Sequence, residues 1–234
     1  MRIPGRPLLR LDPAAGSTAA IGAVPAALAA VAGRRRTAIS LLALPAGILA
    51  FFRDPDRTPD LRQADTPPDP DVVLAPADGK VMYAGPGQVG VAPEGTWQQV
   101  SIFLSLFDVH INRSPYAGRV DSVSHKPGSW LAAYKFESAT ENERSEIVLV
   151  HDGDGDGEQR RVVFRQIVGL VARRVVTRVA VGDVLSTGQR MGVMKFGSRM
   201  DVFVPPGVEI TTRQGDRTVA GETVIARWQP SGVS

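Results

Sequence analysis

The pair Gly197-Ser198 is chemically able to break its own peptide bond. Glycine has no Cβ, so it leaves its carbonyl carbon open to attack by the hydroxyl of the following serine. The attack moves the acyl group from nitrogen to oxygen, β-elimination of that ester leaves dehydroalanine, and hydrolysis of dehydroalanine gives a pyruvoyl group and ammonia. A pyruvoyl group is an electrophile that forms an imine with an amine and then accepts electrons. Because Gly-Ser pairs are also common in ordinary turns, the pair alone does not establish this chemistry.

The self-cleavage requires a base, and the chain contains three histidines, His110, His125 and His151. A histidine titrates near neutrality and serves as a base or as an acid. His151 begins an Asp/Gly-rich stretch that is typical of a hairpin tip. His125 precedes a Lys-Pro-Gly turn, where it either caps the turn or has a role in catalysis or substrate binding. His110 follows an apolar run and is the first candidate, although a single histidine at a strand end is more often structural.

Two basic residues near these candidates have alternative interpretations. Arg113 either binds a phosphate or carboxylate of a substrate or pairs with an acid at the surface. Lys195 lies between two copies of the pattern G-D-x-x-x-x-G-[Q/E], which begin at Gly182 and Gly215. Paired turns of this kind resemble the halves of a lipoyl-like barrel-sandwich domain. The alternative function is therefore a biotinyl-like or lipoyl-like carrier module that is modified on Lys195.

The part of the chain after residue 70 must position these residues, and its pattern is mainly β with minor α. Short Val/Ile/Phe-rich runs alternate with Gly, Pro and Asp, which predicts a compact antiparallel β domain or barrel. The predicted strands are residues 72–74, 80–83, 99–104, 119–125, 146–150, 162–170 and 175–179. Residues 131–143 hold the one substantial helix that we expect in this part. The absence of long βαβ units argues against a doubly wound sheet.

The N-terminal part is basic and apolar. Six arginines and one aspartate give residues 1–36 a charge of +5, against +3 for the whole chain. Apolar runs at 18–33 and 38–52 flank the arginine cluster, which has no interleaved aromatic residues, so we expect an anionic membrane surface and no nucleic acid as the partner. Each run is shorter than the roughly 20 residues that span a bilayer. The runs predict hydrophobic helices that either lie in the membrane interface or span it as two tilted helices. A secretory signal that ends at residues 30–32 is disfavoured, because three arginines would directly follow its cleavage site.

These patterns divide the chain into three segments. Residues 1–52 form a membrane-associating segment, the polar, proline-rich residues 53–70 form a linker, and residues 71–234 form the catalytic domain. The chain has no cysteine, which excludes thiol chemistry and disulfides. Residues 152–157 begin like a calcium-binding loop, but Val163 stands where a glutamate is expected, so we predict a solvated hairpin and no metal site.

Several stretches together resemble the phosphatidylserine decarboxylase family, in particular its short bacterial and archaeal form. No single stretch is specific, but the set is, and it covers roughly residues 50–205. The stretches are residues 195–202 around the Gly-Ser pair, 51–59, 75–81, 101–115, 141–144 and 166–176.

The resemblance implies an autocatalytically cleaved proenzyme. Ser198 would become the pyruvoyl cofactor, and Gly197 would end the β chain of a heterodimer whose α chain is residues 198–234. Asp78 matches the acid that supports self-cleavage in the family, and His110 matches a histidine that would reprotonate the carbanion. Arg113 stands where the family has a second histidine, which leaves the processing base to His110 or to another group such as His125.

The resemblance also implies a reaction and a location. Phosphatidylserine would form a Schiff base with the pyruvoyl group, lose carbon dioxide and leave as phosphatidylethanolamine. With the basic N-terminal segment, this places the enzyme at the cytoplasmic face of the cell membrane. A membrane-anchored scaffold without chemistry is the remaining alternative.

Overall fold

The computed structural model describes residues 9–55, 57, 69–152, 159–171, 175–195 and 197–229. The chain divides into two compact units, Met1–Asp56 and Arg57–Ser234. The boundary falls inside the predicted linker, most of which lies outside the described residues. Across these ranges the structure has sixteen strands and four helices, so the prediction of a mainly β protein with minor α is confirmed.

The first unit contains three helices and a two-stranded antiparallel sheet. Its elements are β1 (Leu9–Leu11), α1 (Ala14–Val31), α2 (Arg35–Leu41), α3 (Ala43–Phe51) and β2 (Arg53–Pro55). The pairing of β1 with β2 gives the first residues of the predicted linker a regular structure. Gly33 has a φ of +73°, a left-handed conformation that favours glycine, and it ends the turn between α1 and α2.

The three helices coincide with the two apolar runs of the N-terminal part. Several of their apolar side chains are exposed, among them Ile21, Leu28 and Ile39. Within the described ranges, no helix is both long enough and apolar enough to cross a membrane. The predicted hydrophobic helices of a membrane-associating segment gain no support from this finding, and membrane association stays a prediction.

The second unit is built around a curled antiparallel sheet of eight strands. Its elements are β3 (Val72–Leu74), β4 (Gly79–Pro86), β5 (Gln98–Leu104), β6 (Ile111–Arg113), β7 (Gly118–Lys126), α4 (Ser138–Glu141), β8 (Arg144–His151), β9 (Arg160–Ile167), β10 (Val176–Thr177), β11 (Val184–Leu185), β12 (Arg190–Val193), β13 (Ser198–Val204), β14 (Val208–Ile210), β15 (Arg217–Thr218) and β16 (Val224–Trp228). The large sheet has the order β11-β7-β8-β9-β13-β5-β4-β15. Two three-stranded sheets, β10-β12-β6 and β14-β16-β3, accompany it.

All seven strands predicted from the sequence are present, with ends that differ by a few residues. The helix predicted for residues 131–143 is wrong except for the short α4. Its place is taken by a loop because the Asn142 side chain binds backbone groups of Leu131 and the carbonyl of Val168 at 2.8 Å each. Side-chain bonds of this kind compete with the backbone bonds of a helix.

The two copies of the G-D-x-x-x-x-G pattern form the opposite edges of the large sheet. The first copy supplies β11, which pairs with β7, and the second supplies β15, which pairs with β4. The sheet curls until the copies meet, since a Cβ placed on Gly188 would lie 3.7 Å from the Cα of Gly221. The finer prediction of a lipoyl-like barrel sandwich stays a prediction.

Candidate active site

Ser198 is the first residue of β13, the strand that lies between β9 and β5 in the large sheet. It pairs with Leu104 of β5 and is fully buried. Alternate residues of a strand face the same side, so Ser198 shares a face with Met200 and Val202, which belong to the main apolar core. In the intact chain its hydroxyl donates to the Lys195 carbonyl at 3.3 Å. The predicted nucleophile is thus held at the end of a rigid strand and away from solvent.

Gly197 places the bond that precedes Ser198 next to a histidine. Its φ is +71°, in the left-handed region where any other residue is disfavoured. The Gly197 N–H donates to Nε2 of His110 at 3.3 Å, across 87 residues of sequence. The structure therefore brings Gly197, Ser198 and His110 together, and their roles in cleavage stay a prediction.

The protonation of His110 follows from its contacts with the Asp108 carbonyl and the Gly197 N–H. Its Nδ1 lies 2.9 Å from the carbonyl oxygen of Asp108, and a carbonyl can only accept, so Nδ1 carries the proton. Nε2 then has a lone pair, in agreement with its bond from the Gly197 N–H. The ring is buried, and His110 therefore presents a neutral, basic nitrogen to the peptide that must be cleaved.

Backbone pairing and a short turn fix the position of His110. Its carbonyl accepts a bond from Met194 N–H at 3.1 Å, next to the pairing of Ile111 in β6 with Val193 in β12. The turn before it is closed by Asp108, whose carboxylate accepts bonds from the Ser105 N–H and hydroxyl at 2.8 and 2.6 Å. The histidine is thus tied to the segment that leads to the cleavage site.

Gly169 is a further site residue that the sequence analysis missed. A Cβ placed on Gly169 would lie 1.8 Å from the Gly197 carbonyl oxygen and 2.9 Å from its carbon. The carbonyl that must be attacked therefore packs directly against the Gly169 backbone. The available signal was an isolated glycine inside the strand predicted for residues 162–170, which often marks a close approach of two backbones.

Asp78 is buried at the same end of the sheet as Ser198, where it binds Ala220 and Arg57. Its carboxylate accepts a bond from Ala220 N–H at 2.9 Å and pairs with Arg57. Strands β4, β5 and β13 lie side by side, with Lys80, Phe103 and Arg199 in one row. Asp78 and Ser198 both come just before this row, at the same end of the sheet. Their backbones are therefore two strand spacings, or about 10 Å, apart. Its role in self-cleavage stays a prediction.

Arg113 lies in the interior, where it joins the two ends of the curled sheet. The side chain is 2% exposed, and its guanidinium donates to the Gly188 carbonyl at 3.1 Å. Its Cδ would lie 2.9 Å from a Cβ on Gly221. These surroundings favour a structural role over the surface ion pair, and substrate binding by Arg113 stays a prediction.

The other two histidines lie away from the cleavage site. His125 belongs to the row His125-Ser145-Gln166-Met200, which puts it three strand spacings or about 14 Å from β13. Its side chain is half exposed and lies 3.7 Å from the Glu143 carboxylate. His151 packs edge-on against Tyr116, with ring centroids 5.6 Å apart. His110 is therefore the histidine that the fold brings to Gly197, and a substrate-binding role of His125 is not tested.

Replacement of Gly169 by alanine is expected to slow self-cleavage by about a hundredfold. The new methyl group overlaps the Gly197 carbonyl, so the reacting carbon must shift, and a displacement of about 1 Å is enough for such a loss. The fraction of cleaved chain is measured against time on a denaturing gel. Gly207→Ala is the control, because Gly207 has open space around it. Equal cleavage of both variants would contradict the assigned contact.

A scissile carbonyl held against a glycine, an internal serine and a neutral histidine together define a class, the self-processing enzymes. The model of the phosphatidylserine decarboxylase family matches residues 45–226. A phosphatidylserine decarboxylase proenzyme of Solibacter usitatus is 44% identical over 190 residues, which cover 81% of this chain and 83% of that protein. The Symbiobacterium thermophilum proenzyme is 45% identical, with 77% and 78% covered. The chain belongs to the phosphatidylserine decarboxylase family.

Membership of this family also bears on the carrier hypothesis. Lys195 is partly buried between β12 and β13, and its carbonyl accepts the hydroxyl of Ser198. A carrier presents its lysine at an exposed hairpin tip and has no use for a histidine beside Gly197. A carrier module modified on Lys195 is therefore not favoured.

Proposed function

We propose that the chain cleaves itself between Gly197 and Ser198 and then decarboxylates phosphatidylserine to phosphatidylethanolamine with a pyruvoyl group derived from Ser198. The observation that carries the proposal is the contact of His110 Nε2 with the Gly197 N–H, directly before the buried Ser198. Among the three histidines, this one has a basic nitrogen at the peptide to be broken. The names of the similar proteins, which are proenzymes, support the same conclusion.

Self-cleavage begins at Ser198. Its hydroxyl turns from the Lys195 carbonyl to the Gly197 carbonyl carbon, and His110 Nε2 takes the hydroxyl proton. The Gly197 acyl group then moves from the Ser198 nitrogen to its oxygen. Elimination removes the Ser198 Cα proton, breaks the Cβ–O bond and releases Gly197 as a carboxylate. One water then converts the remaining dehydroalanine into a pyruvoyl group and ammonia.

The residues around Ser198 fit a pyruvoyl group. Gly169 has no side chain where the Gly197 carbonyl lies, and His110 presents its basic nitrogen to the Gly197 N–H, directly before Ser198. A pyruvoyl group supplies an electrophilic carbonyl that binds a primary amine and takes up the electron pair left by carbon dioxide. His110, once protonated, would return a proton to the substrate carbon. The charge of the basic N-terminal segment supports a membrane location for this reaction.

The test is the mass of the purified, denatured protein. We expect two chains that end and begin at the Gly197-Ser198 bond, and we expect the smaller one to lack a free amino terminus and to react with hydroxylamine. Addition of phosphatidylserine to the undenatured protein is expected to release carbon dioxide. A single chain with an added mass on Lys195 would favour the carrier. A single unmodified, inactive chain would contradict the proposal.

A further inference from the structure

Six aromatic and leucine side chains are exposed on three loops of the second unit. They are Leu106 and Phe107 on the first loop, Trp130, Tyr134 and Phe136 on the second, and Leu170 on the third. We call these six residues the apolar rim. Their exposed fractions run from 44% for Trp130 to 87% for Phe107, and all the large aromatic side chains that are exposed in the described ranges belong to the rim. Single exposed apolar residues are ordinary, whereas a group of this kind marks an interaction surface.

The three loops of the rim adjoin the cleavage site. The first loop connects Leu104, the partner of Ser198, with His110. On the second loop, the Tyr134 ring packs edge-on against Phe103 at 6.1 Å, and Phe103 pairs with Arg199.

The third loop begins at Gly169, whose backbone meets the Gly197 carbonyl. A Cβ on Gly169 would also lie 3.4 Å from the Cβ of Ala133, which belongs to the second loop. The second and third loops therefore touch each other at the carbonyl that is cleaved, and the rim borders the site where the substrate must react.

A diacyl phospholipid stays anchored in its bilayer by its acyl chains, and its serine headgroup is only a few bonds long. Ser198 is fully buried, so the headgroup reaches it only if the bilayer surface comes up to the loops around the site. Exposed aromatic and aliphatic side chains partition into the interfacial region of a bilayer. Lys135, between Tyr134 and Phe136, adds a positive charge that suits lipid phosphates.

We propose that the apolar rim inserts into the surface of a phospholipid bilayer and thereby brings the headgroup of a membrane lipid to Ser198. This inference rests on the proposed function and adds a membrane contact of the catalytic unit itself to that expected of the N-terminal segment. The rim acts on access of lipid from the bilayer and not on the chemical steps.

The double variant Phe107→Ser/Tyr134→Ser tests the proposal in the full chain. On phosphatidylserine in phosphatidylcholine vesicles, we expect kcat/KM per cleaved chain to fall by about tenfold or more, because two large apolar side chains no longer enter the bilayer. On a short-chain phosphatidylserine dispersed as monomers, we expect no change. Both residues are more than half exposed, so we expect the variant to fold, which its thermal unfolding checks.

The control is Val89→Ser/Val181→Ser, which removes two apolar side chains that are 97% and 63% exposed outside the rim. A rim variant that matches this control on vesicles would overturn the proposal. An equal loss on both substrates would also overturn it, because the residues would then act inside the site. A lower oligomeric mass of the rim variant would assign the surface to contacts between copies of the chain.

A second measurement does not depend on catalysis. In a Trp97→Phe/Trp228→Phe background, Trp130 is the one remaining tryptophan of the three in the sequence. Vesicles of brominated phosphatidylcholine without phosphatidylserine are expected to quench its fluorescence. If vesicles bind the protein without quenching Trp130, the proposed insertion of the rim is incorrect. If Trp130 is quenched but the protein does not decarboxylate phosphatidylserine, only the proposed function is contradicted.

Discussion

The Ser198→Ala variant is expected to remain a single chain of about 25.0 kDa with no decarboxylase activity. Alanine lacks the oxygen that attacks the Gly197 carbonyl, so neither the ester nor the pyruvoyl group forms. The substitution removes one hydrogen bond of 3.3 Å to the Lys195 carbonyl, which contributes about 1 kcal/mol or less to the free energy of unfolding. The variant is therefore expected to fold. Intact mass and thermal unfolding check the two statements separately.

Ser145→Ala is the matched control for this variant. Ser145 is also a buried serine of the large sheet, two strands from β13, and its hydroxyl binds Thr177 at 2.9 Å. This control is expected to cleave like the parent chain. Cleavage of the Ser198→Ala chain after Gly197 would show that another group attacks the peptide and that the assignment of Ser198 is incorrect.

The His110→Asn variant is expected to cleave about 10²- to 10⁴-fold more slowly, the usual contribution of a positioned acid or base. Asparagine keeps an N–H group that can donate to the Asp108 carbonyl, but it has no counterpart of Nε2 at the Gly197 N–H. The substitution thus keeps the hydrogen bond to Asp108, which holds the residue in place, and removes the basic nitrogen. The measurements are the rate of cleavage and the decarboxylation rate per cleaved chain.

His151→Asn is the control for this substitution, because His151 packs on Tyr116 at the end of β8. It is expected to leave both rates close to those of the parent chain. If His110→Asn cleaves as fast as His151→Asn, the base for processing is another group. If cleavage slows but decarboxylation per cleaved chain does not, His110 serves the first reaction only.

Much of the β structure was predictable because period-2 apolar runs and turn residues are local signals. The seven predicted strands illustrate this, since each depends only on its own few residues. The helix expected at residues 131–143 failed for a non-local reason. Asn142 uses its side chain to bind the backbone of Leu131 and Val168, and the second of these comes from a distant part of the chain. Helix propensity over a short window of sequence takes no account of that bond.

The candidate site likewise has features that the sequence predicts and features that it does not. The prediction of Gly197-Ser198 as the bond to be cleaved, and of His110 as the first candidate base, follows from residue types and motifs. The surroundings of Arg113 do not, since the residue proves to be buried between two glycine turns that the curl of the sheet brings together. The partners of Asp78 likewise come from residues 57 and 220, far from it in sequence.

By itself, the sequence determined which atoms are able to react, because the chemistry of a Gly-Ser bond and of an imidazole belongs to the residues. Only the tertiary structure decided how they meet. Pairing of β6 with β12 and of β13 with β5 and β9 carries His110, Gly169 and Ser198 to one place from three separate regions of the chain. The bond from Asp108 then selects the tautomer of His110, and the missing side chain of Gly169 admits the carbonyl. These are contacts between distant residues, and only packing of the whole sheet specifies them.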